Sequence, residues 1–195
     1  YRKLKGIKIF RIPSINRGKN NILILLNYFN FFFNSFIFGI NKFLNKKIDL
    51  VFIFCPSPII SALPAIIINK IFKKKVAIWV LDLWPDTLVD LNIVNNKYLI
   101  KILRYIVKFI YDNCDLILVQ SESFKKEISK ITKSKCIYFP SWSEDIIGDN
   151  VTKYAKEISL KEKKFKIIFT GNIGEAQSFE SIVKCAKLLK NNNKI

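Results

Sequence analysis

Histidine is missing from all 195 residues of the chain. Its absence excludes triads that need an imidazole base and the usual zinc sites with an imidazole ligand. Proton transfer must then fall to Asp, Glu, Lys, Tyr or a substrate group. Methionine is missing too, the first residue is Tyr1, and the last ones, Lys194-Ile195, come directly after a helical pattern. A further strand is expected there, so the sequence reads as an internal piece of a longer protein. The four cysteines, Cys55, Cys114, Cys136 and Cys185, form no Cys-x-x-Cys pair, and no secretory signal is recognisable. They read as reduced, buried core thiols of a cytosolic protein.

Acidic residues are scarce. Fifteen Asp and Glu against 33 Lys and Arg leave a formal net charge of +18, which asks for an anionic partner, acidic lipid or nucleic acid. Lysines cluster at Lys73-Lys74-Lys75, Lys125-Lys126 and between Lys161 and Lys166, whereas arginines are few. No nucleic-acid fold signature accompanies them. The chain is also rich in Ile, Asn and Phe, as AT-rich coding produces, and on that reading each lysine cluster is simply a solvated face.

Against these absences stands one specific segment, Lys166-Ile167-Ile168-Phe169-Thr170-Gly171-Asn172-Ile173-Gly174-Glu175-Ala176-Gln177-Ser178. An apolar run with charged flanks predicts a buried strand, and Ile182, Cys185, Ala186 and Leu189 then follow at helical spacing. Glycines between a strand and a helix allow a sharp turn and close approach of a ligand to the main chain. The N-terminus of the helix favours an anion there. No Gly-Lys-Ser/Thr follows, so this is not a Walker loop, and two glycines do not complete a dinucleotide fingerprint. A phosphate cradle and an ordinary tight turn both remain open.

Strands and helices alternate along the chain, which predicts an α/β fold with a parallel sheet. Strands are expected at Ile7 to Ile12, Leu50 to Phe54, Val76 to Leu81, Leu116 to Val119, Cys136 to Phe139 and Lys166 to Thr170. Helices are expected near Asn21 to Lys46, Ile59 to Ile71, Lys97 to Tyr111 and Ser123 to Ile131. The polar stretch from Ser141 to Lys164 breaks the alternation. The expected organisation is therefore a nucleotide-binding-like domain over residues 1–140, a connector over 141–164 and the opening βα unit of a second domain over 165–195.

Ligands of parallel sheets sit outside the carboxyl ends of the strands. Cys55-Pro56-Ser57-Pro58, Asp82-Leu83-Trp84-Pro85-Asp86, Gln120-Ser121-Glu122-Ser123 and Pro140-Ser141-Trp142 fall at those places. The serines there also suit helix N-caps. A carboxylate beside an indole can hold a sugar, by accepting hydroxyl bonds and covering the apolar ring face, although Trp84 could equally lie in the core. The helix near Asn21 to Lys46, about 39 Å long at 1.5 Å per residue, is long enough to cross a bilayer. Asn20, Asn27, Asn34 and Asn41 give it a polar stripe at steps of seven, which suits a helix lying in an interface. A core helix whose asparagines bond locally is the alternative.

Taken in order, Asp82-Leu83-Trp84-Pro85, Ser121-Glu122-Ser123, Phe139-Pro140-Ser141-Trp142 and Thr170-Gly171-Asn172-Ile173-Gly174-Glu175-Ala176-Gln177 resemble bacterial family 4 glycosyltransferases. The likeness is to fucosamine-transferase-like members that build O-antigen and capsule, and it covers the chain from about Ile7 onward. It implies a GT-B fold, in which a Rossmann-like acceptor domain and a Rossmann-like donor domain face one another. It also implies retaining sugar transfer without a metal or cofactor, from a nucleotide-diphosphate sugar to a lipid-linked acceptor. By the same resemblance Gly171, Asn172, Gly174 and Gln177 bind the donor, Glu175 and Asp82 are catalytic, and Trp84 and Asp86 bind the acceptor. An anionic membrane surface is the implied partner, with peripheral attachment at the cytoplasmic face of the inner membrane and no nucleic acid. The family's opening strand belongs before Ile7 and its Glu-x₇-Glu motif beyond Ile195, so the piece alone is expected to be inactive. The competing expectation is a non-enzymatic basic module that binds membrane or nucleic acid.

Overall fold

The structure, a computed structural model, describes residues 2–18, 20–45, 47–142, 167–174 and 177–192. It divides into two units, Tyr1–Ser141 and Trp142–Ile195, each taken by itself below.

The first unit is built on a four-stranded parallel sheet of β3 (Leu50–Cys55), β4 (Lys75–Val80), β5 (Leu116–Val119) and β6 (Lys135–Tyr138), which lie side by side in chain order. Parallel neighbours need crossovers. These are a 3-10 turn (Ile59–Ala62) running into α2 (Leu63–Phe72), then α3 (Asp86–Asp90) with α4 (Lys97–Asp112), then α5 (Glu122–Ile131). The register aligns Phe54, Trp79, Leu118 and Ile137 across the sheet and, one step on, Cys55, Val80, Val119 and Tyr138. Because side chains alternate along a strand, Cys55, Val76, Ile78, Val80, Ile117 and Val119 share one face. That face packs on Ile66 of α2, Val107, Ile110 and Tyr111 of α4 and Ile128 of α5. On the opposite face Leu50, Phe52 and Phe54 stay more than half exposed. Trp79 sits there between the rings of Phe54 and Phe139, with centroids at 5.4 and 5.2 Å.

Local chemistry explains where the elements stop. Pro64 opens α2, and at its other end Asn69 takes the Lys74 amide at 2.9 Å and donates to the Lys74 carbonyl at 2.7 Å. This turns the chain directly into β4. Asn96 caps α4 by accepting from the Tyr98 and Leu99 amides, and Ser121 caps α5 by accepting from Phe124. At the amino edge of the sheet Asp115 accepts from Lys75 Nζ at 2.7 Å and from the Val76 amide at 2.9 Å. Those bonds hold its carboxyl below the usual aspartate range.

The amino-terminal segment departs from expectation. The predicted strand Ile7 to Ile12 does not join the parallel sheet. Instead β1 (Arg2–Leu4) and β2 (Ile7–Ile9) form an antiparallel ribbon, and residues 10–18 have no regular structure ahead of α1 (Asn21–Asn45). That irregular stretch is strapped to the asparagine side of α1. Asn27 Nδ2 donates to Ser14 Oγ and to the Ile15 carbonyl, Asn30 Oδ1 accepts from the Ile15 amide at 3.1 Å, and Asn34 Nδ2 donates to the Pro13 carbonyl at 2.8 Å. The polar stripe thus satisfies backbone groups that no ladder pairs. A different side of α1 meets α2, where Gly39 lets the helices close in: a Cβ there would lie 2.5 Å from Ile68 Cδ1.

In the second unit the predicted strand over Lys166 to Thr170 is corrected. Residues 167–170 form no strand, and Ile167, Ile168 and Phe169 are exposed. No neighbouring strand is present among the described residues to pair with them. Helix α6 (Phe179–Leu189) does follow, with the Phe179 ring 5.3 Å from that of Phe169. The cysteines are all free, but the expectation of four buried thiols holds only for Cys55 and Cys114: Cys136 is half-buried and Cys185 is exposed on α6.

Candidate functional site

In the first unit the loops after β3, β4, β5 and β6 meet at the carboxyl edge of the sheet and bond to one another. The Trp84 indole N–H donates to Ser57 Oγ at 3.1 Å, joining the loops after β3 and β4. Gln120 Nε2 reaches the Leu81 carbonyl at 3.5 Å, and Ser141 Oγ donates to Gln120 Oε1 at 3.3 Å. These contacts lock four separate strand ends into one polar crest. Asp82 lies in it half-buried, with the Thr87 hydroxyl 2.6 Å from its Oδ1 and 2.8 Å from the Leu83 carbonyl. One carboxylate oxygen is therefore held while the other keeps its lone pairs for a donor such as a sugar hydroxyl.

Of the two positions left open for Trp84, sugar platform and core, the structure shows the core. Only 9% of it is exposed and it belongs to the hydrophobic core. Burial of a large apolar ring outweighs its exposure at the edge, and the polar indole tip is satisfied by Ser57. Asp86 stands at the surface, 3.3 Å from Arg104 Nη2 of α4. Cys55, at the end of β3, is no nucleophile at neutral pH, because burial pushes its thiol up to about 11. Burial likewise pushes Cys114 up to about 12 and raises Tyr111, whose hydroxyl is wholly enclosed.

Gly171, Asn172, Gly174 and Gln177 lie together in the second unit and are exposed. Gly171 has φ +147°, a conformation that side chains oppose, whereas Gly174 has no such φ and a Cβ there would meet only Gln177 Oε1 at 3.1 Å. The Gln177 backbone N–H donates to the Gly174 carbonyl at 3.1 Å ahead of α6. Glu175 lies outside the described residues. Among the described residues no group of three or more Asp, Glu, Cys or His side chains is gathered to hold a metal ion.

Family models, curated proteins and solved structures give no match to this chain. Sequence reading did not single out Thr87 or Arg104. The available signal is spacing: Thr87 follows Asp82 by five residues at the start of α3, and Arg104 lies on the face of α4 that reaches Asp86.

Proposed function

We propose that the chain is part of a GT-B glycosyltransferase, moving a sugar with retention from a nucleotide-diphosphate sugar to a lipid-linked saccharide acceptor in bacterial surface polysaccharide synthesis. The observation that carries this reading is the half-buried Asp82 carboxylate, held on one oxygen by Thr87, in the loop after β4 at the carboxyl edge of a parallel sheet. Such edges are where open α/β sheets bind ligands. Asp82 would orient an acceptor hydroxyl, with Asp86 on the rim and Trp84 as the buried support beneath the loop.

The donor diphosphate would lie along the amides of residues 171–174, beside Asn172 and Gln177, with Glu175 next to the transferred sugar. Gly171 suits this role because its φ of +147° is one that residues with a side chain rarely adopt. A departing donor phosphate that takes the acceptor proton fits a sequence without histidine. Attachment at the cytoplasmic face of the inner membrane would follow from the outward side of α1 and the charge of +18.

Calorimetry with nucleoside diphosphates, together with transfer assays on the full-length protein, tests the proposal. Asp82→Asn should lower turnover on the order of 10²-fold by misplacing the acceptor, with donor affinity kept. Failure to bind any nucleotide sugar sinks it. The exposed apolar side of α1 also favours a second reading, a basic membrane-binding module without catalysis. Vesicle binding with no nucleotide binding would support that one.

A further inference from the structure

An apolar groove of about 520 Å³ runs between α1, the segment from Pro58 to Pro64, and α4. Phe29, Phe32 and Phe33 wall it on one side, Leu103 and Ile106 on the other, and Ile60 lies between. It is continuous with a surface stripe on α1, because Phe29 and Phe33 belong to both. Ile22, Leu26, Phe29, Phe33, Ile37 and Leu44 recur at steps of four, three, four, four and seven, so they project from one side of the helix. All six are exposed, Ile37 by 65% and Leu44 by 67%. The asparagine side of α1 is already occupied by the strap. Crossing a bilayer would carry that strap into hydrocarbon, so the helix is built to lie along a surface.

Helix α4 continues the pattern in an ordered way. Turning away from the groove, Leu103 and Ile106 give way to Tyr98, Ile102 and Tyr105, all exposed, and then to a basic row of Lys97, Lys101, Arg104 and Lys108. Hydrocarbon contact, amphipathic rings and cations follow one another as the layers of a lipid leaflet do. Arg104 and Lys108 also pair with Asp86 and Asp112, while Lys97 and Lys101 are exposed. The charge gradient complements anionic headgroups.

We infer that the α1 and α4 faces dock on an anionic bilayer and that the groove between them accepts the hydrocarbon chain of a bilayer lipid. This rests on the membrane-attachment part of the function proposed above and adds the site and its occupant. It does not depend on sugar transfer.

The test uses the whole chain with vesicles of phosphatidylglycerol or phosphatidylcholine, the former carrying a diazirine on its acyl chain, and locates photolabels by mass spectrometry. Sedimentation with phosphatidylglycerol alone, reversed by high salt, is expected, with labels on Phe32, Ile60, Leu103 or Ile106. Lys97→Ala and Lys101→Ala should each weaken vesicle binding about five-fold. Sedimentation with labels confined to Ile22, Leu26 and Ile37 would overturn the groove assignment and leave membrane attachment standing. No sedimentation overturns both. A vesicle-free dimer that covers the groove overturns it in favour of a second copy, and loss of nucleotide binding affects only the transferase reading.

Discussion

The Trp84 indole donates to Ser57 Oγ across the carboxyl edge of the sheet, so the residue that anchors the core also ties the loop after β4 to the loop after β3. Trp84→Ala should therefore cost about 3 to 5 kcal/mol of stability. Ser57→Ala, which leaves the buried indole N–H without this acceptor, should cost about 1 to 3 kcal/mol. Urea unfolding of both variants measures this. A Trp84→Ala protein as stable as the parent would show that the ring does not hold the core.

Acid should loosen the amino edge of the sheet. The bonds from Lys75 and the Val76 amide lower the Asp115 carboxyl, and Thr132 with Lys108 lowers Asp112, both from the usual 3.8. A carboxyl depressed in the folded state stabilises the fold fully above its unfolded value. That contribution is lost as pH falls through the lower folded value. Stability followed by urea midpoint should be flat above about pH 5 and drop below 3.8, and Asp115→Asn should remove part of the drop. An unchanged slope in that variant contradicts the assignment.

The glycine loop separates two roles. Gly171 holds φ +147°, so Gly171→Ala should strain the backbone by about 1 to 3 kcal/mol and weaken binding of a nucleoside diphosphate. Gly174→Ala meets only the movable end of Gln177, and its effect on folding should be small. Calorimetric titration of both variants, with circular dichroism as a folding control, decides the matter. Equal donor affinity in folded Gly171→Ala and parent would remove the loop from the donor site.

Much of the first unit was legible in the sequence because its elements carry their own signals. The apolar runs of β3, β4 and β5 and the serine cap at Ser121 mark boundaries within a residue or two of those observed. What could not be read depends on partners far along the chain. Ile7 to Ile12 has the composition of a sheet strand, yet strand identity needs a neighbour, and here the neighbour is Arg2–Leu4. Residues 167–170 show the same dependence, with no paired strand beside them among the described residues. For the candidate site, the sequence pointed to Asp82 through its place after a strand. It left Trp84 open between rim and core, because exposure is set by Ser57 and the helices packed around the ring.

The contact between α1 and α2 gives a prediction whose sign is set by a single methyl group. A Cβ at position 39 would lie 2.5 Å from Ile68 Cδ1, and Ile68 is fully buried, so its side chain has little room to turn aside. Gly39→Ala should gain helix propensity, about 0.8 to 1 kcal/mol, but lose about 1 to 3 kcal/mol to overpacking. Ile68→Val removes the opposing Cδ1 and alone should cost about 0.5 to 1.5 kcal/mol. In the double variant the new methyl occupies the space of the lost one. Its destabilisation should be smaller than the sum of the singles by at least about 0.5 kcal/mol, the coupling expected of residues in contact. Urea midpoints of the four proteins complete the cycle. Simple additivity would mean that α1 shifts as a body to admit the methyl, and the close approach at Gly39 would not be what fixes the helix pair.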